Sequence, residues 1–387
     1  MKVIVVGAGI LGASVARSLA MAGERVHLLD QWGPGTGTTA TTFAWVNANR
    51  KLDPDYFRLN VAGMEEHAKL AHELGGPQAY FPTGSVHCAD SRNESWLVSS
   101  VERLRSLDYP AHWVEREDAV RIAGDIRIPD SITAMAHFPN EGYVLPERLL
   151  SNLLADARRH GAEISVGEVV AVHDDPGGSR VVLAGGETRT ADRVVLATGR
   201  WTDDLATRSG LDIPMMTDIR RGSPIVGLLG YVTSPRVDLR CVVHTPSLNL
   251  RPAAHGRTVV QALNLNSGVD PKAPLSADCE IARAIVQRFS RLMTERNPSP
   301  EIEPRVAIRS MPADGQTIAG YASERSRVYC LVTHSGITLA PLLGRLAAAE
   351  IVNDHTQDLL QAFRPTRFAG VRRSELNITR ATRLGEQ

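Results

Sequence analysis

Residues 1–30, MKVIVVGAGILGASVARSLAMAGERVHLLD, decide the fold. Lys2 to Val6 is a short β-branched run, the pattern of a strand buried on both faces. Gly7, Gly9 and Gly12 follow as GxGxxG. The first glycine of that motif permits a tight turn, the second lets backbone approach a pyrophosphate, and the third lets the helix pack closely on the strand. Leu11, Val15, Leu19 and Ala22 share one helical face, suited to packing on a sheet. Glu24 to Leu29 is a second apolar strand ending at Asp30, where a carboxylate accepts bonds from a ribose diol, with Gln31 beside it. Strand, glycine turn, helix, strand and acid together predict a bound dinucleotide. A secretory signal is the competing reading of one lysine before an apolar run. Three glycines inside the run and no small-residue cleavage site argue against it.

With 387 residues the chain is long enough for two domains and a large core. Lysine plus arginine balance aspartate plus glutamate at 43 each, so no basic excess announces nucleic acid. No stretch approaches the ~18 apolar residues of a membrane span. Cys88, Cys241, Cys279 and Cys330 are far apart, with no CxxC, which suggests neither a zinc site nor a disulfide framework and fits a reducing cytoplasm.

Working outward, Gly33 to Thr42 is a Gly/Pro loop with five threonines, whose hydroxyls and free N–H groups suit phosphate or ribose oxygens. A helix is predicted over 53–74, capped by Asp53 with Pro54 in its first turn. Further elements are strands at 80–88 and 133–138, helices at 94–107 and, opened by Pro146, within 142–161, and strands at 163–166, 169–172, 181–184 and 193–197. Antiparallel strands are expected between 214 and 308, with an amphipathic helix at 281–292. A last strand at 328–333 and a last helix at 339–352 follow. Charge in the arginine-rich tail reads as a solvated terminus.

GAGILG, GYVLPERLL, VVLATGRWTDDL, RSMPADGQTIAGY and VTHSGITLAPLLGRLAAAEI, in this order, resemble the D-amino-acid oxidase family of flavoenzymes, which includes glycine oxidase, sarcosine oxidase and D-amino-acid dehydrogenases. The resemblance implies an α/β fold. A discontinuous Rossmann-like FAD-binding domain (1–80, 142–215, 309–365) would carry an inserted α+β substrate domain built on an antiparallel sheet (81–141, 216–308), followed by a basic tail (366–387). It also implies cofactor contacts. Gly7, Gly9, Ile10, Leu11 and Gly12 would meet the pyrophosphate, and Asp30 and Gln31 the adenosine. Thr38, Thr39 and Ala40 would line the loop, Val169 would reach the adenine, and Thr198, Gly199 and Trp201 would close the pocket. Gly336, Ile337, Thr338 and Leu339 would meet the flavin's pyrimidine edge. The last group has a physical basis of its own. The turn opens a helix, and a helix N-terminus favours the negative charge of a reduced flavin. Its competing role is to cap a core helix.

Amino-acid oxidation on such a flavin requires a clamp for the carboxylate, and arginine suits it better than lysine. Arg309 stands five residues before Asp314, as the family's carboxylate-binding arginine does before its own aspartate, although the proline that usually follows it is displaced to Pro312. Its competing role is a salt bridge to a carboxylate such as Asp314. Arg251 is the second candidate, with Asn249 on the same strand face, looking into a cavity or into water. His334 lies in the flavin turn, Arg220 and Arg221 precede a glycine where the family places a residue close to the flavin, and His244 is a weaker candidate. No cysteine stands in RSMPADG and no histidine in the threonine loop, so the FAD is expected to be non-covalent. The resulting expectation is an FAD-dependent oxidoreductase that turns the C–N bond of an amino acid or substituted amine into an imine, with oxygen or a partner acceptor reoxidising the flavin. Three alternatives remain: oxidation of a 2-hydroxy acid on the same fold, a nicotinamide dehydrogenase, and a flavin-bound subunit of a hetero-oligomer.

Overall fold

The computed structural model describes residues 1–175, 177–234, 237–273, 275–294, 300–371 and 376. Most of the basic tail, 366–387, therefore lies outside the described residues. Lys2–Val6 is central in a six-stranded sheet ordered Ile318–Tyr321, Val328–Val332, Arg193–Leu196, Lys2–Val6, Arg25–Asp30, Glu163–Val166. All neighbours are parallel except the first two strands. Because Lys2–Val6 has Arg25–Asp30 on one side and Arg193–Leu196 on the other, its carboxyl end is the switch point where α/β sheets bind ligands. Helices Ile10–Met21 and Gly336–Asn353 pack on each other above this sheet. They meet at Gly344, where an added Cβ would lie 2.6 Å from the Ser14 Cβ.

A second sheet of eight strands runs Glu301–Ile308, Val226–Thr233, Arg257–Gln261, Asn249–Pro252, Val242–His244, Ser85–Asp90, Ile132–Phe138, His112–Trp113. Alternation along the strands gives it two faces. Val226, Leu228, Val243, Leu250 and Val260 pack under helix Glu280–Leu292. Leu229, Tyr231, Val242 and Val259 turn the other way, onto Phe43, Trp45 and Tyr143.

Three sequence expectations change in detail. The strand expected over 80–88 is two strands, Tyr80–Phe81 and Ser85–Asp90, because Pro82 and the left-handed Gly84 (φ +76°) break the ladder between them. Residues Gly142–Val144 form a strand between Trp45–Val46 and Tyr80–Phe81 before helix Pro146–Arg159 begins. Glu163–Val166 joins the six-stranded sheet, leaving Val169–Asp175, Gly178–Leu183 and Thr188–Ala191 as a separate antiparallel meander.

Arg251 does not clamp a substrate. Its side chain is 1% exposed, and its guanidinium is spent on main-chain carbonyls: Nε donates to Phe43, Nη1 to Pro252 (2.7 Å) and Nη2 to Thr42 (3.4 Å). Burial pulls it down to about 10, so it is still charged at neutral pH. The competing outcomes foreseen for this strand face were cavity or water; the segment 42–43 covers it instead, and Arg251 ties that segment to the second sheet.

Glu141 is a second tie. Wholly buried, its carboxyl accepts from Trp45 Nε1 (2.9 Å), Ser85 Oγ (2.5 Å) and Tyr109 OH (2.8 Å), joining four chain segments. Burial raises it to about 7, against the lowering effect of those donors.

Two stability measurements test these ties. Arg251→Ala leaves three carbonyls, one buried and two part-buried, without their donor and a cavity in place of the side chain, so urea unfolding is expected to show a loss of about 3 kcal/mol. Glu141 holds its proton more tightly folded than unfolded. Its contribution is therefore complete below about pH 4.5 and lost as pH rises through about 7. Glu141→Gln, which has no proton to lose, should remove that decline from a plot of melting temperature against pH.

Candidate active site: a dinucleotide cavity and its neighbours

The glycine turn and the late turn at residue 336 open on one cavity. Gly7 (φ +100°) lies so close to the neighbouring strand end that a Cβ would sit 2.5 Å from the Ala197 carbonyl oxygen. Gly12 meets Gly7 still more tightly, at 1.8 Å from its carbonyl oxygen to the missing Cβ. Both helices that start here lack a side-chain cap and an acidic first turn. Gly336 comes within reach of Ile10, 3.8 Å from its Cγ2 to the position of a Cβ. Two positive helix ends thus flank one space, a setting for an anionic group.

Most of the expected cofactor residues line this cavity: Gly7, Gly9, Ile10 and Leu11 of the first turn; Asp30 and Gln31; Thr38 and Thr39; Val169; Thr198, Gly199 and Trp201; Gly336 and Ile337. His334 is there too. Four others have different roles. Gly12 serves the close packing just described. The Ala40 carbonyl accepts from Tyr231 OH (3.5 Å), which ties the loop to the second sheet. Thr338 is buried, its hydroxyl donating to the Trp45 carbonyl (3.4 Å) and accepting from Asn47 N–H (3.4 Å). Leu339 is core, packed on Gly63 of helix Pro54–Glu73.

Asp30 is more engaged than its sequence position foretold. One oxygen accepts from Ala8 N–H (2.8 Å), the other from Trp32 and Gly33 N–H (both 3.0 Å). An ionised carboxylate takes about four bonds, so the acid pins the glycine turn to its own strand end and keeps a single acceptor position for a ribose hydroxyl. The threonine hydroxyls likewise serve the loop. Thr36 donates to the Gly33 carbonyl (3.1 Å), Thr38 to the Ile308 carbonyl (3.0 Å), and Thr39 accepts from Ile10 N–H (3.1 Å). They fix backbone around the cavity, and the Thr38 bond joins it to the second sheet.

The late turn is braced from beneath. Tyr56 OH donates to Ser335 Oγ (2.8 Å), Thr317 to Thr333 Oγ1 (2.8 Å), and His67 Nε2 to the Ile337 carbonyl (2.8 Å). Burial lowers His67 to about 4, so its ring is neutral. His334 is held well below its usual value by burial and then by the nearby charges of Arg309 and Lys51. That field brings together residues remote in the chain. Arg309 Nη1 donates to the Pro224 carbonyl (2.8 Å), and its guanidinium lies over Gly227, 3.3 Å from the position of a Cβ. Asp314, its foreseen competitor, is taken by Arg367 instead (2.7 and 3.1 Å). Lys51 is buried, with its ammonium 5.5 Å from the centre of the Tyr56 ring, and burial lowers it to about 8 against the pull of Glu141.

Other candidates fall outside the cavity. Asn249 belongs to a buried row of register partners, Gln261, Asn249, His244 and His87, and donates to Gln261 Oε1 (3.4 Å). His244 packs on Trp45 (ring centroids 4.2 Å apart) and is neutral, lowered to about 4 by burial. Arg220 pairs with Asp218 at the surface (2.6 Å) and Arg221 is exposed. Sequence reasoning missed Lys51, Glu141 and Trp32. The first two signal nothing until burial and neighbours are known; Trp32 stands two residues past Asp30 and could have been noticed there.

The four cysteines are free. Among the described residues no His/Cys/Asp/Glu group could hold a metal, and no helix is long and apolar enough to cross a membrane.

The pattern of the FAD dependent oxidoreductase family matches residues 2–350. A glycine oxidase of Bacillus licheniformis is 24% identical over 96% of this chain and 98% of its own. The crystal structure of glycine oxidase from Geobacillus kaustophilus superposes with a TM-score of 0.82 at 22% identity, covering 95% of this chain and all of that one. An iminodiacetate oxidase from a Chelativorans species does so with a TM-score of 0.78 at 23% identity, over 94% and 98%. The residues present fit the group this family binds: a turn drawn so tight that only glycine fits at positions 7 and 12, an acid at the end of the second strand and two uncapped helix ends on one cavity. The chain belongs to the FAD-dependent oxidoreductase family of the D-amino-acid oxidase type.

Proposed function

We propose that this enzyme oxidises the C–N bond of a small amino acid or N-substituted amino acid, with Arg309 receiving the substrate carboxylate and His334 bordering the reacting end. The observation that carries this reading is that the charges of Arg309 and Lys51 reach His334, which lines the cavity together with Gly336 at its uncapped helix end. Bound FAD, held non-covalently, supplies the acceptor for the two electrons and the hydrogen leaving the carbon next to nitrogen. Water then hydrolyses the resulting imine.

The chain's own residues supply position and charge. A guanidinium offers a carboxylate a two-pronged partner. Burial first, and then the positive field of Arg309 and Lys51, keep His334 neutral; the same surroundings disfavour an ammonium, so a bound substrate amine loses its proton more readily than in water. A separate base is then unnecessary. Glycine and iminodiacetate, named for two similar proteins, both carry a carboxylate on the carbon next to nitrogen.

Anaerobic bleaching of the flavin's blue absorbance tests the reaction class: amino acids should bleach it and the matching 2-hydroxy acids should not. Arg309→Ala is expected to lower kcat/KM for carboxylate-bearing amines about a hundredfold, and less for amines without a carboxylate. Acid precipitation should leave the yellow colour in the supernatant. In a pH series, kcat should rise as the bound amine deprotonates. Lys51→Met, by removing a nearby positive charge, should move that acidic limb to higher pH.

A further inference from the structure

Trp32 is 59% exposed, yet it borders the dinucleotide cavity. Its place is fixed from two sides. Its backbone N–H donates to Asp30 Oδ1 (3.0 Å), which sets the ring just past the end of strand Arg25–Asp30. Its indole meets Trp201 edge-on, with centroids 5.1 Å apart and planes at 63°. Trp201 is backed by Arg200, whose guanidinium lies 4.1 Å from the ring centre. Gly37 leaves it room, since a Cβ there would come within 2.9 Å of the Trp201 ring.

Val169 and Leu205, both buried and apolar, line the same cavity, and the Asp204–Arg208 pair (2.6 Å) contributes a polar part of its lining. This end of the space therefore combines an aromatic face, aliphatic surface and a polar border around the ribose acid. Those are the needs of a purine, which is flat, polarisable and polar only at its edge. The isoalloxazine is assigned to the helix that begins with Gly336, which lines the same cavity. An open indole held in position leaves apolar surface in water that a stacked base would cover.

We propose that Trp32 is the stacking platform for the adenine of the bound dinucleotide. This rests on the reading of the cavity as an FAD site and adds a residue to it. Nothing is oxidised or transferred in this role.

The test uses the purified holoenzyme, Trp32→Ala and Trp32→Phe. The FAD dissociation constant is read from the flavin fluorescence released on dilution, ADP is tested as a competitor, and FMN is added to stripped protein as a control. Loss of a base–aromatic stack weakens binding by roughly tenfold or more. W32A should therefore raise the FAD dissociation constant and the ADP inhibition constant by the same factor of about ten or more, and leave FMN affinity unchanged. W32F, which retains a ring, should stay within about threefold of the parent. A W32A protein that holds FAD and ADP as tightly as the parent would overturn the proposal while leaving the flavin assignment intact. Equal weakening of FAD and FMN would also overturn it, by moving Trp32 to the flavin end. A parent protein without flavin, and unable to take up FAD, would remove the site and the proposal together.

Discussion

The structure depends on the packing of helix Ile10–Met21 against helix Gly336–Asn353. Where they cross, Gly344 has no side chain, and a Cβ would overlap Ser14. This close approach sets Ile10 and Gly336 side by side and points two uncapped positive helix ends at one cavity. A dinucleotide is long enough to need two such ends, one for its pyrophosphate and one for the charge gathered at its ring. The contact also explains why nearly the whole chain must fold before the site exists: the two helices come from its opposite ends.

The second sheet is joined to this core by polar ties buried among apolar surfaces. Arg251 grips the carbonyls of residues 42 and 43, Thr38 reaches the Ile308 carbonyl, and Glu141 gathers donors from Trp45, Ser85 and Tyr109. Each tie involves the loop and short strand that follow Asp30 or the segment beside them. That loop therefore borders the cofactor on one side and the second sheet on the other. A buried charge is retained at such a junction because its directional bonds fix one relative placement, which apolar contacts alone leave loose. Arg309 benefits directly, since its position over Gly227 requires the second sheet to sit where these ties hold it.

Much of this was legible in the chain. The strand, glycine turn, helix and acid of residues 1–30 carry their geometry in residue type: only glycine tolerates φ +100° at position 7 and the absence of space at position 12. The late SGIT turn was legible for a similar reason, because small residues before a long apolar helix leave its end open. The threonine loop was harder to interpret. Hydroxyls suggested ligand contacts, yet Thr36, Thr38 and Thr39 bond to protein groups, because in a glycine-rich loop something must fix the backbone. Arg251 misled in the same way: an alternating strand shows which residues share a face and leaves open what covers it.

By itself the sequence determined the local conformations, the nucleotide cradle and the family, since these follow from periodicity, glycine positions and short-range order. Tertiary structure alone decided which polar side chains face the cofactor and which hold the protein together. Arg309 and Arg251 are the same residue type, and only the groups brought opposite them set Arg251 against the carbonyls of residues 42, 43 and 252 and Arg309 over Gly227 with its charge near His334. Burial decided the charge states as well, leaving His67 and His334 neutral and raising Glu141 to about 7. Desolvation depends on the sum of distant neighbours, and that sum exists only once both sheets are in place.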